Sequence, residues 1–574
     1  MSNFILKTLE TRELKLNTIR LRGFYGGKLR KGSGGGGSSD GFPQLPGDVT
    51  RWHFGGLTNE MMAAMDDPRI EDADHKGRFL SFKNFAWKEG SGISDIYPGA
   101  LVFDGVDDYG TYDNFPILTK EKGYTVVALR QWITRGEIAQ GLVSNVKNWL
   151  KDGAFLLEFR NIQAEHLNKP ISFGAIGSEN DLPHILTYQT SKSYNGVSIT
   201  TGNFEGTDVL HVGKLAPTNV GTCINAAIWE LVFLDHDATE EELTNIKDYF
   251  VKTYPWLFPD QAWTAVGKTN EDEDRATIAN ITGNGNDLVL SNFGFAEGSG
   301  YGLYAQDYSN SRWFINNSIT ATKKSDTFNV TSINQVAVQI QYIAEPSQPP
   351  YTVPSYTVKI TGLTDGQTVN YRVSGGISYP ITQDGIYILP GFDFAGMGSW
   401  YGFQFNKVQE SCDITIEQIP EYEGYLVTDG VDDKIASSAF EMGKDFTVVG
   451  EWKMLPVSNY NYSGIAKNNN LYVYNSPSID LTVFIRSDGI ANIVEGIKSL
   501  KAICSDGRVY DEDWTEYKLN SGTTVGKNTA LNLGCNNSDF TQMAFKNLGI
   551  YNNQILSKDD CIKAYNYLQT LKAK

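Results

Sequence analysis

Two stretches decide the fold: "LVFDGVDDY" at Leu101–Tyr109 and "YLVTDGVDDK" at Tyr425–Lys434. The word Asp-Gly-Val-Asp-Asp stands at 104–108 and again at 429–433, 325 positions apart. It can be read as paired metal loops, paired active sites, or one corner of a duplicated fold. The flanking sequence favours the third reading. Thr58-Asn59 recurs as Thr269-Asn270, and Asn84-Phe85 as Asn292-Phe293. Glu89-Gly90-Ser91-Gly92 recurs as Glu297-Gly298-Ser299-Gly300. Downstream, "YTVVALRQW" (124–132) returns as "FTVVGEWKM" (446–454), and "ATEEELTNIKDYFVK" (238–252) as "LSKDDCIKAYNYLQT" (556–570). Blocks repeated in one order mark a tandem duplication.

The spacing locates an insertion. Gly92 to Gly300 is 208 positions, against 325 for the Asp words, so the second copy holds about 117 additional residues. They fall near 304–420 and include "SYTVKITGLTDGQTVNYRVSGGISYPITQDGIYILPG". Apolar and polar residues alternate there and break at Thr-Asp-Gly, Gly-Gly and Gln-Asp-Gly. That is the pattern of a small antiparallel β domain with tight turns. Within each copy most segments are strand-like, and Asn195-Gly196 is a hairpin turn. Each copy ends in a helix, opened by a capping box at Thr239 and Glu242 or by Ser557 with Asp560. The domains expected are 1–47 (arm and linker), 48–257 (first sandwich), 258–303 with 421–574 (second sandwich) and 304–420 (insert).

Bulk properties agree with an all-β chain. Its 574 residues exceed one core, and 12% aromatics, 57 glycines and 30 tyrosines suit turn-rich sheets. A net charge of −18 argues against a general basic surface for nucleic acid. The five cysteines have no Cys-x-x-Cys spacing and read as reduced thiols rather than a disulfide scaffold or zinc site. No apolar run reaches membrane-spanning length, and the start lacks a cleavable apolar core. The expected origin is a cytoplasm, with any exit by another route.

The first 31 residues stand apart. Eight basic residues face Glu10 and Glu13, a net +6, which leaves −24 for the remainder. Arg12, Lys15, Arg20, Arg22, Lys28, Arg30 and Lys31 would dock on an acidic surface, with Leu9, Leu14, Leu16, Ile19 and Leu21 available for burial. "KGSGGGGSSDGFPQLPG" follows as a flexible linker.

The two Asp words, with "IWELVFLDHDATEEELTNIKDYFVKTY" and "FKNLGIYNNQILSKDDCIKAYNYL", resemble concanavalin A-like, laminin G-like jelly rolls over roughly 98–257 and 421–573. The resemblance implies two tandem all-β sandwiches, each closed by a short C-terminal helix. The whole layout is similar to virion fibre or decoration proteins of tailed phages infecting gut Bacteroidetes, including crAss-like phages. That likeness implies a virion location, an N-terminal arm docked on capsid, portal or tail proteins, lectin-like domains facing host glycans, and a homo-oligomer. No nucleic-acid partner or membrane insertion is implied. The alternatives are a bacterial glycan-binding protein outside virions and a jelly-roll glycoside hydrolase.

Candidate chemistry is sparse. Hydrolases of this class carry paired carboxylates on one strand, resembling Glu-x-Asp-x-x-Glu. No such run occurs, and the nearest pair is Asp413 with Glu417 in "DITIEQ". A binding protein, not an enzyme, is expected. Asp104, Asp107 and Asp108, like Asp429, Asp432 and Asp433, offer oxygens for calcium, but calcium takes six to eight; an Asp-Gly turn is the preferred reading. Trp149, Tyr188, Tyr194, Trp400, Tyr460 and Tyr462 stand in polar, loop-like contexts as candidates for stacking against sugars. The sequons at Asn280, Asn329 and Asn461 read as chance.

Overall fold

In the computed structural model the chain divides into two units, Met1–Leu45 and Pro46–Lys574. The structure describes residues 41–116, 123–134, 140–146, 156–159, 186–198, 206–214, 223–296, 298–344, 350–373, 376, 378–394, 399–455, 465–467, 471–476, 479–485, 499–518, 527–529, 531–533, 535–536, 539–540 and 542–573. The basic residues between Arg12 and Lys31, and Trp149, Tyr460 and Tyr462, lie outside them. All described sheets belong to the second unit.

The first sandwich is two antiparallel sheets. One runs Val197–Ser198, Ser193–Tyr194, Leu186–Thr190, Thr125–Thr134, Asn225–Leu234, Leu101–Asp104, Gly92–Ile93, with Val49–His53 also on Asn225–Leu234. The other runs Arg69–Glu71, Phe79–Lys83, Tyr109–Asp113, Gly206–Val212, Gln140–Val146, Leu156–Phe159. The second sandwich repeats this plan. Its first sheet runs Gly300–Tyr301, Leu426–Val427, Met543–Asn552, Phe446–Met454, Ser499–Cys504, Arg508–Asp511, Glu516–Lys518, with Gln261–Thr264 on Met543–Asn552. Its facing sheet places Thr277–Ile278, Leu288–Ser291, Lys434–Ser437, Leu531–Leu533, Ile465–Lys467, Leu471–Ser476 and Ile479–Ile485 side by side. The chain is an all-β protein of the jelly-roll sandwich class.

Equivalent residues do equivalent work in the two copies. Trp52 pairs with Leu231 and Trp263 with Leu548, and both indoles are fully buried in their cores. The Asn59 side chain clamps the backbone of Ile93 through both its oxygen and its nitrogen, and Asn270 clamps Tyr301 in the same way. Thr125 Oγ1 donates to His236 O and accepts from Ala238 N, pinning the turn before the helix; Thr447 does so with Gln554 O and Leu556 N.

The closing helices behave as their caps foretell. Thr239 and Glu242 form a reciprocal capping box at Glu240–Thr253, which buries Ile246, Tyr249 and Phe250. Ser557 accepts from Asp560 N at the head of Lys558–Gln569, which buries Cys561, Ala564, Tyr567 and Leu568. Among the described residues no helix is long and apolar enough to cross a membrane.

Two details extend or revise the sequence reading. The segments before each Asp word supply strands to both sheets, so the sandwiches begin at Val49 and Gln261. Their strands are as short as two residues and separated by turns, too brief to show a period. The insert is itself a sandwich of two five-stranded sheets with a core of its own, including Trp313, Phe328, Tyr371, Tyr401 and Phe403. Asp413 and Glu417 therefore sit at or on an insert strand, Ile414–Ile419.

The first copy also buries a charge network. Arg51 and Glu230 form an ion pair at 3.0 Å with both side chains fully buried. Arg51 also donates to Tyr249 Oη at 2.9 Å, and Tyr254 Oη donates to Glu230 at 2.7 Å. The same register places Ala262 and Asn547 in the second copy, so the fold itself does not require the pair. Removing one partner strands the other charge in a medium that solvates it poorly. Glu230→Gln is expected to cost about 3–5 kcal/mol, measured by urea unfolding, while Arg51→Met with Glu230→Leu should cost less than either single change.

Candidate functional site

The Asp words are corners that carry the chain between the two sheets of each sandwich. Leu101–Asp104 lies in one sheet and Tyr109–Asp113 in the other. Asp104 Oδ1 accepts from Val106 N at 2.7 Å and Asp107 N at 3.2 Å, and Asp108 Oδ2 accepts from Asp104 N at 3.1 Å. In the second copy Asp429 accepts from Val431 N and Asp432 N at 2.8 and 3.3 Å, and Asp433 from Asp429 N at 2.7 Å. Gly105 adopts φ +80°, and a Cβ there would sit 2.9 Å from Asn225 Cβ.

Each corner gathers three carboxylates with oxygens within 4.8 Å of one another. Calcium needs at least as many oxygens again. The carbonyls of Asp104 and Asp107 are already bonded by the amides of Asn225 and Asn84, and that of Asp432 by Asn292. Three carboxylates are at most half the oxygens calcium takes, and the amide bonds hold each corner as an Asp-Gly turn, with Asp108 Oδ1 and Asp433 Oδ1 buried and accepting none of those bonds. Burial, with repulsion from the neighbouring acids, pushes Asp108 up to about 6 and Asp433 up to about 7; hydroxyls of Ser91 and Ser299 pull the other way.

The aromatic candidates that are described stand on strands rather than loops. Tyr188 is half-buried on Leu186–Thr190, Tyr194 belongs to Ser193–Tyr194, and Trp400 is half-buried on Trp400–Phe405 of the insert. Their polar neighbours are the alternate residues of strands. Asn195 and Gly196, at φ +44° and +79°, form the expected hairpin turn. Of the described candidates, Tyr188 alone lines the large cleft described next; Trp400 lies in the insert, away from it. The sequon at Asn280 is structural: its buried side chain bonds Ala262 N, Thr282 N and Gln261.

Tyr188 lines a cleft of about 790 Å³ between the sandwiches. One wall is the outer face of the first sandwich, with Val127, Leu186 and Tyr188. The helix Glu240–Thr253 supplies Glu240, Leu243, Thr244, Lys247 and Val251, one helical face at a spacing of three to four residues. The opposite wall comes from Leu257–Asp260, Ala262, Ile281, Thr282 and Asn284, then Gln554, Tyr567 and Leu571. Asp260 fixes that wall: its carbonyl accepts from Thr282 Oγ1 and Asn284 Nδ2, and its carboxylate from Asn552 N at 2.7 Å. Gln131 Nε2 donates to Thr570 Oγ1 at 3.1 Å, holding the second copy's helix against the first sandwich. An apolar floor with hydroxyl, amide and charged groups around it can seat a polyhydroxylated ring: apolar C–H faces on Tyr188, hydroxyls on the polar rim.

No protein-family model and no curated protein matches the chain. Among solved structures, the exoplasmic/lumenal domain of VIP36, in its Ca2+/Man3GlcNAc-bound form, is similar over 24% of this chain and 83% of that one, at 10% identity and a TM-score of 0.17. A likeness of that size carries no functional argument, and the fold class rests on the sheets themselves.

The corner acids make stability depend on pH. Both carry a folded-state pKa above the ordinary 3.8. Their stabilising contribution is whole below that value and is lost as pH rises through about 6 to 7. Asp433→Asn should flatten the fall in thermal midpoint between pH 5 and 8 and raise the midpoint at pH 8. An unchanged slope would show that this acid titrates normally.

Proposed function

We propose that the chain is a carbohydrate-binding display protein whose ligand seats in the cleft between the sandwiches. The observation that carries this reading is the cleft's make-up: one half-buried tyrosine over an apolar floor, ringed by Glu240, Thr244, Lys247, Thr282, Asn284 and Gln554. Saccharides present apolar faces and many hydroxyls, and this lining complements both. The reading takes the protein as a binder and not a hydrolase. Weak single-site binding would be raised by copy number in a homo-oligomer.

The display reading extends to a virion fibre or decoration component. Its support is the layout of the sequence: a basic arm and Gly/Ser linker ahead of the sandwiches. The arm would dock on capsid, portal or tail proteins, and the sandwiches would face host-surface glycans.

Two experiments test this. On a glycan array, Tyr188→Ala should weaken any specific signal roughly tenfold, from loss of about 1.5 kcal/mol of ring contact; a silent wild type across a broad array would refute glycan recognition. Removing residues 1–47 should abolish incorporation into particles while the remainder stays folded; normal incorporation would refute the anchor.

A further inference from the structure

A second hollow, of about 510 Å³, opens beside the cleft. Asp248, Lys252, Pro255, Ile555 and Asp560 line it. Val251 and Gln554 line both spaces, so the two adjoin. Each alone has the size of a small-ligand site.

The helices show how the two are arranged. Along Glu240–Thr253, the cleft takes Glu240, Leu243, Thr244 and Lys247, and the hollow takes Asp248 and Lys252 towards the C-terminal end. Along Lys558–Gln569 the order reverses. Asp560, in the first turn, lines the hollow, and Tyr567, near the end, lines the cleft. The two helices therefore flank one groove in opposite directions. The first, with 14 residues, is about 21 Å long, several times the width of a pyranose ring.

The duplication singles out one residue in the hollow. Thr447 pins Gln554 O and Leu556 N as Thr125 pins His236 O and Ala238 N, so Gln554 answers to His236 and Ile555 to Asp237. In the first copy both side chains serve the fold. His236 Nε2 lies 3.1 Å from Glu242 Oε1, and Asp237 accepts from Ser191 N at 2.8 Å and Ser191 Oγ at 2.9 Å. In the second copy Ile555 stands in place of that acid and is 40% exposed. With Val251 and Pro255 it gives the hollow an apolar surface, and Asp248, Lys252 and Asp560 put charges around it. That repeats the make-up of the cleft.

We propose that cleft and hollow are two subsites of one groove, and that the ligand is a linear oligosaccharide long enough to fill both. This rests on the saccharide reading of the cleft and sharpens it, because a single sugar or a short branch end leaves the hollow empty. One ring packs on Tyr188. The chain passes Val251 and Gln554, a later ring sets its C–H face on Ile555, and its hydroxyls bond Asp248 and Lys252. Hydrogen bonds to charged groups are the stronger kind, so rings that reach the hollow should add affinity until the groove is full.

The test is binding of the full chain to an array that carries malto-, cello-, chito- and xylo-oligosaccharides and fragments of bacterial capsular polysaccharides, each at graded length from the single sugar upward. Affinity for the glycan bound should rise roughly tenfold between lengths that fill the cleft and lengths that reach the hollow. In Ile555→Asp, which restores the first copy's residue, that rise should disappear, whereas Tyr188→Ala should weaken every length. Lys252→Ala, at an exposed helix position, serves if Ile555→Asp does not fold. Equal affinity for the shortest and longest forms would overturn the groove and leave the cleft as a saccharide site. A rise with length that survives in the folded variant would overturn it as well. Silence at every length would refute the saccharide reading, and the groove with it.

Discussion

A short carboxylate-to-amide bond turns this chain from one sheet into the next. Asp104 holds the amides of Val106 and Asp107, and Asp429 holds those of Val431 and Asp432. Because the next strand belongs to the opposite sheet, the corner sets where the two sheets of each sandwich meet. Gly105 and Gly430 are needed for the same reason, since positive φ and a close neighbour at 2.9 and 2.8 Å leave no room for a Cβ. Asp104 and Asp429 shape each corner through these carboxylate-to-amide bonds. Burying Asp108 and Asp433 in that geometry raises their pKa and ties the corner's stability to pH.

With the corner fixed, the two copies diverged around it. The first buries an ion pair between its edge strand and its last strand, satisfied by tyrosines from the helix region. The second has Ala262 and Asn547 at those positions, and the buried Cys504 and Cys561 where the first has threonine and leucine. Among the described residues, contacts that join the copies include Gln131 to Thr570, Asn566 to Asp95 O, Tyr551 to Trp256 O, and Lys563 over the ring of the buried Trp256. Sandwiches joined at separate points leave a gap beside the joint, and that gap is the cleft.

Local physics was legible in the sequence, and long-range physics was not. The corner, the helix caps and the Asn195-Gly196 turn each rest on residues a few positions apart, so their chemistry can be read from the string. The insert was visible because it changed a repeat distance. Arg51 and Glu230 are 179 residues apart and carry no local signal. The same holds for the cleft, whose lining runs from Val127 to Leu571. Tyr188 was found because its neighbours are polar, but Glu240, Thr244 and Lys247 read as an ordinary solvated helix face. Their role depends on what the second sandwich places opposite them.

Under the proposed function a saccharide sits between the sandwiches. Hydrogen–deuterium exchange of the full chain, with and without a saturating glycan, tests it most directly. Slowed exchange is expected in both walls together, at 186–190 and 240–257 in the first copy and at 258–262 and 281–284 in the second. Protection confined to one sandwich, or to the insert, would contradict it.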